Sequence, residues 1–206
     1  MHPNILSKEQ KELLPLIQQF KREFYLVGGT AIALQVGHRR SIDFDLFKLS
    51  DLNAKRTLKK IDSAKISYTV TRRVSEQINM VINSVKMTFF QYPYAIDAKI
   101  DFENYLRMPD LLTLAAMKAF ALGHRSKWKD YVDLYFLLQD YHTLDEISQK
   151  ADVLFGQMFS AKLFRSQLSF HKDINYSEPV EYLPGFEVAE QEVKAFLIDK
   201  SLTLTS

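Results

Sequence analysis

The chain has no cysteine among its 206 residues, which excludes disulfides, thiolate metal centres and cysteine nucleophiles and fits a cytoplasmic protein. Long apolar runs are missing as well. No stretch approaches the roughly 20 residues of a membrane span, and the opening MHPNILSKEQ has no signal-peptide core, so no membrane association is expected. Charge of one sign is scarce: 27 Lys and Arg against 25 Asp and Glu leave a net +2, too little to name a partner. Glycine and proline number six each, with no low-complexity tract, repeat or long linker.

What is present is an ordinary globular composition, 47% hydrophobic and 25% charged, in a chain long enough for one large domain or two small ones. Basic residues gather in KRTLKK (55–60), Arg72-Arg73 and HRSKWK (124–129). Each such cluster is ordinarily a solvated face; several beside one cleft would suit a phosphate backbone.

Hydrophobic spacing predicts a helix over 7–22, with Ser7 and Gln10 as a capping box and Pro15 as a kink or the true start. A strand is expected at 24–27, a helix at 30–36 ended by Gly37, a strand at 41–47 and a charged helix at 51–62. Three β-rich segments follow at 66–74, 77–83 and 85–92, with Asn83-Ser84 as a hairpin turn. From Pro109 the pattern turns helical, apart from a loop at 171–186, and closes with a helix over 188–199. An α+β first half (1–105) and a helical second half (106–206) is the natural division.

The stretch YLVGGTAIALQVGHRRSIDFDLF carries the chemistry. On a strand, Ile42, Phe44 and Leu46 would enter the core while Asp43 and Asp45 share the other face. Two carboxylates so close repel by about 1 kcal/mol or more. Protonation of one, an arginine between them, or a divalent cation would each relieve this; oxygen-only ligands point to Mg²⁺ or Mn²⁺. Gly28-Gly29-Thr30 supplies the complement, since a strand ending in two glycines and turning into a helix offers free N–H groups to phosphate. Thr30 could cap that helix and donate to a phosphate oxygen. Together the parts suit a metal-bound nucleoside triphosphate.

The pattern Gly29-Thr30, a short interval and Asp43-Phe44-Asp45-Leu46 resembles the signature of the polymerase-beta-like nucleotidyltransferase superfamily. The fuller string GGTAIALQVGHRRSIDFDLF is similar to the AbiEii/AbiGii toxins of bacterial toxin–antitoxin and phage-defence systems, as is DLLTLAAMKAFALGHRSKWKDYVDLYFLL (110–138). The resemblance implies a small mixed sheet flanked by helices, followed by a helical half. It also implies transfer of a nucleoside monophosphate from an NTP to an RNA acceptor, the tRNA 3′ end being one candidate, and a cognate antitoxin. Asp43 and Asp45 would hold the metal; Gly28, Gly29, Thr30 and Arg39 would bind the nucleotide.

In the second block, Lys118 is the only charge of LLTLAAMKAFAL, where a lysine can snorkel to solvent. Asp130 and Asp133 fall in the first turns of the next helix, which acids favour. The short GHRSK connection makes the two helices antiparallel neighbours, so Lys118 and Asp130 can converge. By resemblance, Lys118 and Asp130 belong to the active site, with Asp133 and Arg125 as further candidates. His38 and Arg40 read as a surface turn, and the aromatics of 85–138 as core. The superfamily's third carboxylate has no counterpart in VKMTFFQY (85–92), leaving Asp97, Asp101 or Asp130 to complete the site. Two other readings follow: transfer to a small, antibiotic-like acceptor, or a nucleotide- or partner-binding module without catalysis.

Overall fold

The computed structural model describes residues 1–203. They form two compact units, Met1–Asp110 and Leu111 onward. The first is built on a seven-stranded mixed sheet. α1 (Lys8–Gln18) opens on the expected capping box, Ser7 Oγ accepting from Gln10 N–H and Gln10 Oε1 accepting from Ser7 N–H. It ends earlier than its hydrophobic spacing suggests, because residues 19–21 tighten into i→i−3 bonds that turn the chain toward β1 (Tyr25–Val27).

β1 runs without a loop into α2 (Gly28–Val36), closed by Gly37 in the left-handed region (φ 83°). β2 (Asp43–Lys48) follows, then α3 (Ala54–Ser63), whose Asn53 cap accepts from Arg56 N–H. β3 (Tyr68–Arg73), β4 (Gln77–Ile82) and β5 (Val85–Gln91) form a meander. Asn83 and Ser84 both take positive φ (48° and 64°), the turn that matches strand twist. Two short strands that no periodicity announced, β6 (Ile100–Phe102) and β7 (Leu106–Met108), complete the sheet and keep residues up to 110 in the first unit.

The sheet order is β3-β4-β5-β2-β1-β7-β6. β2 lies centrally, antiparallel to β1 and parallel to β5. Leu26, Leu46, Phe89 and Ile78 are opposed across four strands, share one face and are fully buried. Phe20 and Phe24 pack on Phe89 from that side, with centroids 4.9 and 5.4 Å away.

The second unit is helical: α4 (Leu111–Leu122), α5 (Trp128–Asp140), α6 (Leu144–Phe155), α7 (Ala161–Ser169) and α8 (Glu190–Leu202). α4 is apolar apart from Thr113 and Lys118, and most of its residues are buried. α6 starts on a second capping box, Thr143 with Glu146. The 170–189 segment is irregular and is tied to the start of α5: Trp128 N–H donates to the Asn175 carbonyl, and Lys127 and Lys129 both pair with Glu178.

Candidate active site

In the first unit, alternation along β2 does what the sequence implied for all but one residue. Phe44 and Leu46 are buried, and Asp43 and Asp45 are half-buried on the opposite face. Ile42 is the exception. It precedes the strand and is 61% exposed, because pairing begins only at Asp43.

Asp45 is opposed to Val27, the last residue before α2. Its carboxylate lies directly against Gly28, where φ is 73° and any Cβ would collide with Asp45 Oδ2. The next residue meets the other charge. A Cβ at Gly29 would stand 2.5 Å from Arg39 Nη2 and 3.2 Å from Ser41 Oγ. The two glycines therefore let the backbone of the first helical turn approach a carboxylate and a buried guanidinium at once, leaving its N–H groups directed at the N-terminal end of α2.

Thr30 does not cap α2. Val27 is the cap residue and Thr30 lies inside the helix. Its hydroxyl is 2% exposed, donates to the Asp43 carbonyl and shares a hydrogen bond with Ser41 Oγ at 2.9 Å. That clamp fixes the start of α2 against the start of β2. Ser41 was not singled out in the sequence, although a hydroxyl two residues before the first aspartate is the signal that would have found it.

His38 is not a surface residue: it is fully buried, as is Arg39 at 3% exposure. Arg39 Nη1 also donates to the Arg40 carbonyl at 2.9 Å, which braces the turn before β2.

The neighbouring strand brings no acid to the pair. β5 sets Lys86 opposite Asp43 and Thr88 opposite Asp45. Asp97 pairs with Lys99 at 2.5 Å, and Asp101 accepts from Asn104 N–H in the β6–β7 turn. Among the described residues no three His, Cys, Asp or Glu side chains gather. Two carboxylates fit a hard cation that arrives with its own waters and substrate phosphates, as Mg²⁺ does; they do not make a cage that holds a metal alone.

In the second unit, Lys118 is 4% exposed and does not snorkel. Its Nζ lies 2.7 Å from Asp130 Oδ1 and 2.9 Å from Asp133 Oδ2, both acids being fully buried. Arg125 binds the far side of Asp130, Nε to Oδ2 at 2.9 Å and Nη2 to Oδ1 at 3.4 Å. Burial alone would raise the Asp130 carboxyl, but the Lys118 ammonium and the Arg125 guanidinium outweigh it and hold it below the usual range. The result is a network of two cations and two anions that joins α4 to α5. Of the sequence candidates, Gly28, Gly29, Thr30, Arg39, Asp43 and Asp45 thus cluster in the first unit, and Lys118, Arg125, Asp130 and Asp133 in the second.

Comparison with known proteins bears on the fold and the family. A protein of Aquifex aeolicus (strain VF5), described as uncharacterized protein aq_aa25, is 28% identical over 209 residues, spanning 91% of this chain and 86% of that protein. The nucleotidyltransferase toxin MenT4 of Mycobacterium tuberculosis H37Rv shares the fold with a TM-score of 0.64 at 15% identity, covering 94% of this chain and 80% of that one. A crystal structure described as a putative nucleotidyltransferase from H. pylori superposes with a TM-score of 0.57 at 16% identity, over 94% and 91% of the two chains. The family model for the nucleotidyl transferase AbiEii toxin of type IV toxin–antitoxin systems matches residues 16–199. The chain therefore belongs to the AbiEii family of nucleotidyltransferase toxins.

Proposed function

We propose that this toxin moves a nucleoside monophosphate from an NTP to a hydroxyl of RNA, with the tRNA 3′ end as the leading acceptor, in a reaction that depends on Mg²⁺ or Mn²⁺. The observation that carries the reading is the seating of the Asp45 carboxylate on Gly28 at the first residue of α2. This supports the reading because a carboxylate suited to a cation lies beside helix-start amides suited to phosphate.

Asp43 and Asp45 hold the cation; when bound it neutralises the triphosphate and lowers the pKa of the acceptor hydroxyl. Gly28, Gly29 and Thr30 offer backbone N–H groups to the β- and γ-phosphates, and Arg39 adds a permanent positive charge behind Gly29. Lys118 offsets charge that develops on the phosphates during attack, while Asp130 and Asp133 keep its ammonium in one position. Arg125 braces Asp130. As a family toxin the protein is paired with an antitoxin that restrains it in the cytoplasm, and phage defence is the setting this suggests.

The test is transfer of radiolabel from each of four α-labelled NTPs to cellular RNA, with and without Mg²⁺. Asp45→Ala, folded by circular dichroism, is expected to give no labelled RNA. Full labelling by that variant would end the proposal, and labelling confined to a small-molecule pool would replace RNA with a small acceptor.

A further inference from the structure

The basic segment 55–60 is α3, and its charge is not spread evenly through the molecule. Residues 48–65 hold six Lys or Arg against two Asp, and residues 21–23 hold two against one, a joint net charge of +5 in a chain whose total is +2. The two segments meet in space. Glu23 accepts a hydrogen bond from Lys60 Nζ at 2.6 Å and forms ion pairs with Arg56 Nη2 at 3.1 Å and the buried Lys48 Nζ at 3.8 Å. Lys60 also donates to the Gln19 carbonyl at 3.1 Å and stands over the Phe20 ring, and Lys48 over that of Phe24.

One carboxylate thus organises three cations and leaves two of their charges uncompensated. Burial tends to raise Glu23, but the three cations outweigh it and keep it ionised. Lys55 and Lys59, one turn apart on α3, are exposed, and no ion pair of either is found among the described residues. Like charges at this spacing weaken a helix, a cost that a polyanion would reverse.

We infer that α3 and the turn at 21–23 form a docking surface for the sugar–phosphate backbone of the RNA acceptor, on the sheet face opposite Asp43 and Asp45. The inference deepens the proposed function and rests on its RNA acceptor. Nucleic acid is favoured over a protein because α3 presents no exposed large hydrophobic side chain among the described residues. A protein interface needs an apolar centre, whereas phosphate recognition needs only dense positive charge.

The decisive variant is Lys55→Glu with Lys59→Glu, which leaves the Glu23 network intact. Binding of a fluorescein-labelled tRNA transcript is measured between about 50 and 200 mM salt, on the inactive Asp45→Ala background so that affinity is read apart from catalysis. The double variant is expected to bind at least tenfold more weakly, and the slope of log K against log salt to flatten by about 1.5, the loss of two phosphate contacts. In the Asp45-containing protein, the same pair should leave transfer to a short acceptor oligonucleotide within about twofold. Unchanged tRNA affinity and slope would overturn the inference, as would failure of the parent protein to bind tRNA. A variant that loses only binding to poly-glutamate would mark the surface as one for an acidic protein and overturn it as well. Lost tRNA binding in a protein that transfers no nucleotide would sink the proposed function and leave this surface standing.

Discussion

The Asp45 carboxylate occupies the space where a side chain at Gly28 would begin. Substituting Gly28 therefore does two separable things: it strains a backbone at φ 73° and it displaces a site carboxylate. Gly28→Ala should lower nucleotidyl transfer about a hundredfold, the scale of an ångström-sized misplacement of a reacting group. Gly37→Ala is the matched control. It is as strained, at φ 83°, but its neighbour is His2. That variant should lose stability, measured by urea denaturation, with activity per folded molecule retained.

Lys118 lies between Asp130 and Asp133, and Asp130 pairs with Arg125 as well. Lys118→Met leaves two buried acids facing each other and should cost about 3–5 kcal/mol. Adding Asp133→Asn should recover part of that loss, because the remaining carboxylate keeps its guanidinium. Additive urea-denaturation energies for the two substitutions would contradict the coupling.

Glu178 is held down to about 2 despite burial that would raise it, through hydrogen bonds from Lys127 and Lys129. A carboxyl depressed in the folded state contributes stability that is complete above its ordinary value near 4.5 and is lost as pH falls toward 2. The Lys pair flanks Trp128, the only tryptophan, whose ring lies 5.5 Å from that of Tyr176. Its fluorescence should change over that acid window as the 170–189 segment detaches. In Glu178→Gln the segment should already be loosened at neutral pH, and the acid step should vanish.

The Thr30 hydroxyl bridges α2 to the Asp43 carbonyl and to Ser41. Thr30→Val keeps the shape and removes the bridge, at an expected cost of about 1–3 kcal/mol by chemical denaturation. Thr30→Ser should restore the loss. If the hydroxyl's role is to hold β2 in register, the apparent affinity for metal should fall along with stability.

Much of the fold was legible where one local rule dominates. The capping box at Ser7, the left-handed stop at Gly37 and the Asn83-Ser84 hairpin each depend on a few adjacent residues. β6 and β7 were not legible: three residues are too few for alternation, and each strand carries a charge, Asp101 or Arg107, at its centre. In the site, the glycine–aspartate pairing was readable from order and spacing. The burial of His38 was not, since a polar triplet in a turn looks solvated until tertiary packing covers it. Arg125 on Asp130 was equally hidden, because a basic connection between helices carries no sign of which way its side chains fold back.

β1 passes into α2 with no residue between them. The amides proposed to grip phosphate are thus a continuation of a central strand, with no loop to breathe. Having no intrahelical acceptor, these N–H groups should exchange faster than those of β1 and slow when a nucleotide binds, while the backbone that carries them stays as fixed as the strand. Any opening that admits substrate must come from elsewhere in the chain, with the glycine turn as the fixed anvil against which it works.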